Sequence, residues 1–308
     1  MAVDLGLIST FLDSIPKDLL NRLTFYQDQI NLQDKNLAMK LPSIAKRMSQ
    51  SILTNLNRDE EIAAIYVVGK TTQFKDKFPQ ADIVLETTLG EFIPIGLKFC
   101  KQNSYVNTKN AGIRSFLSKY FETQENYSPF DQEELNKNFQ EYYYKMGQQM
   151  YQKHQAHFLG EFDSQWTHWG HDHLPGNLPK EFHEFLNEYY FHTIQCIFEK
   201  IQKYHHSNPE QFSQNILPLL GLESTQMLQV FCFHQGTSLY NISEIQLLRW
   251  VDYQLSRGIE LVPPKINCSF FEIRFSQGIL QIRVKPMNTF TTPNVKINCS
   301  VKYTVLPS

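Results

Sequence analysis

Between residues 81 and 99 the chain alternates in a way that only a strand pair satisfies. Outside a turn at 87–91, the odd positions Ile83, Leu85, Ile93, Ile95, Leu97 and Phe99 are all apolar. The even positions are Asp82, Val84, Glu86, Phe92, Pro94, Gly96 and Lys98. Successive side chains on a strand point to opposite faces, so the odd set forms one buried face and Asp82 and Lys98 share the other. With the hairpin symmetric about Gly90, Asp82 stands directly opposite Lys98, with Cβ atoms about 5 Å apart. A slip of one residue would turn the apolar face to water, which favours this register.

A carboxylate and an ammonium so placed make either a cross-strand salt bridge or part of a metal-dependent phosphodiesterase site. In the second case Asp82 holds a divalent cation, while Lys98 orients the attacking water or offsets charge on a phosphorane-like transition state. Gly96, on the same face, leaves room for a phosphate or a metal-bound water.

The surroundings read as a helix–strand–strand–strand–helix frame. Residues 1–58 are helical, with Pro16 near the start of one helix and Pro42-Ser43 opening another. Ile44, Met48, Ile52 and Leu56 repeat at helical spacing. The run 62–68 fits a buried strand, and 108–121 reads as a helix with Ile113, Phe116, Leu117, Tyr120 and Phe121 on one face. Residues 122–258 are aromatic- and Gln/Glu-rich and mainly helical. Strands follow at 269–275, 279–285 and 295–305.

Net charge is −2 over 1–91, +5 over 92–121, −10 over 122–264 and +5 over 265–308. Two basic segments flank an acidic middle, and if they meet in space they face a polyanion.

Three peptides sharpen the reading: Pro79-Gln80-Ala81-Asp82, then Ile95-Gly96-Leu97-Lys98, then the Asn107-containing loop and helix from Ser104 to Phe116. Together they resemble the PD-(D/E)XK nuclease superfamily, in the type II restriction endonuclease branch of the HaeIII and HpaII kind. The resemblance covers about residues 43–121, with a fainter echo at 284–288 and 296–302. It implies an α/β restriction-endonuclease-like core, a mixed sheet flanked by helices, and Mg²⁺-dependent cleavage of double-stranded DNA. It also implies Asp82 as metal ligand and Lys98 as catalytic lysine. The family's second acid, two residues before the lysine, is Gly96 here. Asp59, Glu60 and Glu61 are the nearest replacements in sequence order, with Glu61 preferred, and Glu86 is another. Mg²⁺ keeps several waters and uses one or two carboxylates, so a sparse site is compatible with it.

Lys101, Lys109, Arg114 and Lys119 follow the site without an intervening acid and are expected to contact phosphates. Asn107, Thr108 and Ser115 add neutral hydrogen-bonding groups, and Lys285 is a further DNA-facing candidate. A rival acid–lysine pairing, Glu272 with Lys285, carries Arg283 where a metal ligand is wanted. The peptide from Trp166 to His173 has three His and an Asp but no standard zinc spacing, so it reads as a structured aromatic loop. Five scattered cysteines without a CxxC argue against a disulfide framework or a cysteine zinc site.

The expected organisation is a nuclease core with N-terminal helices over 1–121, a helical recognition or dimerisation region over 122–258, and a β-rich segment over 259–308. The last either completes the core sheet or contacts DNA. The expected partners are duplex DNA, a second copy of the chain matching a palindromic site, and a cognate methyltransferase. No apolar run reaches the roughly 20 residues of a membrane span. The acidic N-terminal stretch is unlike a secretory signal, so a cytoplasmic location is expected. Two other classes stay open: a non-catalytic DNA-binding protein on a decayed nuclease fold, and an interaction module whose Asp82–Lys98 pair is only structural.

Overall fold

The computed structural model describes residues 11–13, 15–56, 61–69, 74–222, 226–235, 242–249, 255 and 258–303. Its helices are α1 (Lys17–Gln33), α2 (Lys35–Asn55), α3 (Phe116–Phe121), α4 (Pro129–Gln152), α5 (Ser164–His168), α6 (His183–Ser207) and α7 (Pro209–Ile216). Its strands are β1 (Ile62–Val67), β2 (Ile83–Thr87), β3 (Phe92–Lys101), β4 (Val106–Gly112), β5 (Leu228–His234) and β6 (Ile242–Arg249). β7 (Glu260–Val262), β8 (Phe270–Phe275), β9 (Gly278–Pro286) and β10 (Val295–Tyr303) complete the set.

The chain divides into two compact units, Met1–Ser104 with Gly221–Tyr253, and Tyr105–Leu220 with Gln254–Ser308. This interleaving replaces the three consecutive segments expected from the sequence.

In the first unit five strands form a mixed sheet in the order β1-β2-β3-β5-β6, with β3 and β5 parallel and the other pairs antiparallel. The odd face of the hairpin is buried at its centre, at Leu85, Ile93 and Ile95, and half-buried at Ile83 and Leu97; Phe99, expected on the buried face, is 46% exposed. Ile44 and Met48 of α2 pack against Leu85, Ile93, Ile95 and Val230. Burying side chains of this size stabilises by about 1.5–3 kcal/mol each. The helix starts earlier than Pro42-Ser43, because Asp34 caps it by accepting the Leu37 N–H at 3.1 Å. Pro42 therefore lies inside α2. On the other face of the sheet, Val84 is sealed by Phe74, Phe78 and Ala81.

Strands β5 and β6 fall within the region expected to be helical. The run Leu-Gln-Val-Phe-Cys-Phe-His of β5 is buried throughout and extends the core sheet. A seven-residue run with five apolar positions does not distinguish strand from buried helix; pairing along β3 decides it.

In the second unit an antiparallel sheet runs β4-β10-β9-β8-β7. Its inner face, with Ile297, Cys299, Ile282, Val284, Phe271 and Ile273, is buried, and Phe271 meets Phe198 of α6 edge-on at 5.3 Å. The β-rich C-terminal segment thus builds a second sheet and does not complete the first. The expected helix at 108–121 is a helix only from Phe116. Residues before Gly112 pair with β10 as β4, and a single 3₁₀ turn, Ile113–Ser115, links the two. Helix α4 starts where Ser128 and Asp131 form a capping box around Pro129. Among the described residues, no helix is long and apolar enough to cross a membrane.

Candidate functional site

The β2–β3 hairpin is symmetric about Leu89, so Ile83 faces Ile95 and Leu85 faces Ile93. The reason is the turn. Gly90 takes a left-handed conformation, φ 77°, and Gly90 N–H donates to Thr87 O while Thr87 N–H donates to Glu91 O. A three-residue loop closed by a left-handed glycine is a standard hairpin connection. Carried one residue beyond β2, this register sets Asp82 against Gly96, and Asp82 N–H donates to Ile95 O at 2.8 Å. The expected direct opposition of Asp82 and Lys98 is therefore off by two residues. A two-residue shift preserves faces, so the two side chains remain diagonal neighbours on one face, with Cβ atoms about 7–8 Å apart.

Asp82 is exposed and Lys98 half-buried. The Asp82 carboxylate does not pair with Lys98; its Oδ2 accepts the Leu97 N–H at 2.7 Å. Among the described residues no ion pair holds Lys98 either. The carboxylate is thus pinned to the backbone one residue before the lysine, and the lysine is uncommitted.

Gly96 does not leave the space expected of it. A Cβ there would lie 3.1 Å from the Met227 methyl and 3.5 Å from Gln80 O. Beside Gly96 on the parallel strand β5 stands Gln229, whose side chain is 1% exposed. Sequence reasoning missed it, because a position more than a hundred residues away carries no local signal of this neighbourhood.

None of the described candidates for a second acid joins Asp82. Glu86 lies four residues along β2, about 13 Å at strand rise, and accepts the Tyr66 hydroxyl at 2.6 Å. Glu61 lies at the turn end of the hairpin, where its carbonyl accepts the Thr88 N–H. It is farther from Asp82 than Glu86 is. Asp59 and Glu60 lie outside the described residues. Among the described residues no group of three or more His, Cys, Asp or Glu is arranged to hold a metal. The donor established on this face is an oxygen, the Asp82 carboxylate. That chemistry suits a hard cation that keeps most of its water, as Mg²⁺ does, and does not suit zinc.

The expected DNA contacts divide. Lys101, Arg114, Ser115, Lys119 and Asn107 are exposed. Thr108 and Lys109 are not, at 4% and 8% exposure. Lys109 is the register partner of Cys299 and so points to the inner face of the second sheet. Thr108 Oγ1 donates to Leu219 O at 2.6 Å. Both are withdrawn as phosphate or base contacts, because β-pairing turned their side chains inward.

On the outer face of that sheet Lys285 and Lys296 are register partners, as are Arg283 and Asn298. With Asn107 and Asn110 they line a concavity of about 440 Å³. Strands from both basic segments pair here, β4 with β10 and β10 with β9, but the cations of the concavity all come from 265–308; residues 92–121 contribute Tyr105, Asn107 and Asn110, and Lys109 is on the other face. The rival pairing of Glu272 with Lys285 does not form. Glu272 Oε1 accepts the Tyr105 hydroxyl at 2.8 Å, and its other oxygen lies 3.5 Å from Arg274.

The Trp/His peptide is a packed loop. Trp166 is fully buried and donates to Asp172 O at 3.0 Å. His171 Nε2 lies 2.8 Å from His154 Nε2, and His173 Nδ1 lies 2.7 Å from Thr291 Oγ1. The histidines engage separate partners and do not converge.

No protein-family model matches the sequence, and no curated protein matches it. Among solved structures, the chain is similar to a crystal structure of the restriction endonuclease MspI in complex with its cognate DNA. That alignment covers 97% of this chain and 100% of the other, at 10% identity and a TM-score of 0.35.

Proposed function

We propose that this chain is a type II restriction-type endonuclease that hydrolyses phosphodiester bonds in double-stranded DNA with Mg²⁺. The observation that carries the reading is the exposed Asp82 carboxylate, fixed by the Leu97 N–H at 2.7 Å beside an unpaired Lys98 on the same sheet face. A purely structural salt bridge is the alternative use of such a pair, and that bridge is absent among the described residues.

Asp82 is the residue that would hold the ion. When bound, Mg²⁺ supplies Lewis-acid polarisation of a phosphoryl oxygen and a more acidic water. The protein's own contribution is positional. Leu97 N–H fixes the carboxylate by a charge-assisted hydrogen bond. Lys98 presents an ammonium to the charge that develops on the scissile phosphate, or orients the attacking water. Exposed Lys101, Arg114 and Lys119 contribute phosphate contacts, which dominate affinity and its salt dependence. A two-fold symmetric target would call for a homodimer, and a cognate methyltransferase would protect host DNA; both belong to this proposal.

A second reading, a DNA-binding protein that does not cut, is favoured by the filled space at Gly96 and the distance of Glu61 and Glu86. Supercoiled plasmid incubated with the chain in Mg²⁺ or EDTA separates the two. Discrete Mg²⁺-dependent fragments that disappear in Asp82→Ala and Lys98→Ala support the nuclease. Salt-sensitive gel shifts without cleavage support the second reading. Neither shift nor cleavage overturns both.

A further inference from the structure

We propose that the outer face of the β4–β10–β9 sheet reads guanine edges in duplex DNA, with Arg283, Lys285 and Lys296 as the reading cations. This rests on the DNA-binding part of the function proposed above.

Three cations stand together on neighbouring strands, and no acid neutralises them among the described residues. Lys285 and Lys296 are cross-strand partners, and Arg283 lies two residues along β9 on the same face. Partial burial, then the charges of Arg283 and Lys296, push the Lys285 ammonium towards losing its proton. Like charges held side by side on a sheet are destabilising, so the cluster gains only when electron-rich acceptors arrive. Glu272, on the same face as Arg283, is engaged by Tyr105 and Arg274.

Arg283 is also seated against a ring. The Arg283 guanidinium lies 4.9 Å over the Phe270 ring, and its Nε is buried without a hydrogen-bond partner. Asn298 Nδ2 donates to Asn107 Oδ1 at 2.7 Å and to Asn110 Oδ1 at 2.9 Å, and Ser300 Oγ donates to Asn298 Oδ1 at 3.1 Å. That network engages both ends of the Asn298 amide and the carbonyl oxygens of Asn107 and Asn110. It leaves the concavity floored by fixed polar groups, with the three cations to face a ligand.

Rigid placement separates base reading from phosphate attraction. A phosphate needs only a nearby positive charge, and flexible surface lysines provide it. Arg or Lys bonded to guanine O6 and N7 is the commonest base-specific contact, and it demands a set geometry. Strands in the major groove are an established way to present such side chains.

The test uses the full chain carrying Asp82→Asn, in EDTA so that no Mg²⁺-dependent cutting competes, to enrich duplexes from a randomised pool. The enriched duplexes are then remade with 7-deazaguanine, which removes N7 and leaves every phosphate in place. The expected result is guanine at fixed positions and binding weakened on the order of ten-fold by the replacement. Arg283→Ala, and separately Lys296→Ala, should bind without this discrimination yet remain salt-sensitive; circular dichroism checks that each is folded. Equal affinity for guanine and 7-deazaguanine duplexes overturns the proposal. Plasmid cleavage by the unsubstituted chain, run in parallel, reports on the nuclease reading separately. Cleavage without a 7-deazaguanine effect sinks this inference alone, and the effect without cleavage sinks the nuclease alone.

Discussion

The Asp82 carboxylate accepts the Leu97 backbone N–H at 2.7 Å, one residue before Lys98 on the neighbouring strand. The acid is therefore oriented by the backbone of the strand that carries the lysine, and neither charge is spent on the other. Any reaction at this face would draw on both groups independently.

It follows that Asp82→Asn and Lys98→Met should each lower plasmid cleavage, by about 10²–10³-fold, the size of loss seen when one preorganised electrostatic group is removed. DNA affinity in EDTA should not fall for Asp82→Asn, since that change removes a negative charge from the DNA side. Single-turnover rates and gel shifts on the same preparations measure the two effects.

Thr108 and Arg114 should behave oppositely. The buried Thr108 hydroxyl donates to Leu219 O at 2.6 Å and lies 3.1 Å from Cys299 O. Thr108→Val should cost about 1–3 kcal/mol in urea unfolding by leaving buried carbonyls unpaired, with no change in the salt dependence of DNA binding. Arg114→Ala, at an exposed position, should leave stability nearly unchanged and reduce the salt slope by about 1.

Asp131 joins α4 to α6 through Lys200 at 2.9 Å, Lys203 at 3.2 Å and the Tyr204 hydroxyl at 3.0 Å. Burial opposes its ionisation. The Lys200 ammonium, the Ser128 N–H, Tyr204 and Lys203 outweigh burial and hold the carboxyl below its ordinary value. A carboxyl lowered on folding contributes stability that is present above its unfolded pKa and lost as pH falls through the folded one. Asp131→Asn should destabilise at neutral pH by about 1–3 kcal/mol, since Lys200 keeps Glu134 as a partner and Lys203 is half exposed, and should flatten the acid limb of the stability curve. Thermal unfolding from neutral pH down through the carboxylate range checks both.

His154 and His171 share one hydrogen bond at 2.8 Å, so one ring must donate and the other accept. Burial first, and His154 second, push the His171 pKa below its usual value. A histidine lowered on folding is protonated more readily in the unfolded chain, so its stability contribution is complete above the unfolded pKa and falls with acidification. Unfolding free energy should therefore decline as pH drops below about 6.5, and His171→Asn should reduce that decline. Imidazole proton resonances followed through the titration report the lowered value directly.

Much of the first unit was legible in the sequence. The alternation of 81–99 identified the hairpin and its buried face, and Ile44 and Met48 identified the helix face that covers it. The three C-terminal strands were equally plain. The hairpin register was not, because it turned on the left-handed conformation of Gly90 and not on the hydrophobic pattern, which a two-residue shift leaves intact. Residues 108–112 read as helix because the apolar positions from Ile113 to Phe121 follow helical spacing, although the α-helix itself begins at Phe116; pairing with β10, nearly two hundred residues away, made 108–112 a strand.

Local chemistry, then, determined which residues alternate, which helix faces are apolar, and that an acid and a lysine share a side of one ribbon. Tertiary structure decided the rest. It set Gln229 beside Gly96, turned Thr108 and Lys109 inward, and gathered Arg283, Lys285 and Lys296 with three asparagines on one sheet face. The physical reason is that side-chain period is a property of a single strand, whereas neighbours across a sheet depend on which distant strands pair and in what register.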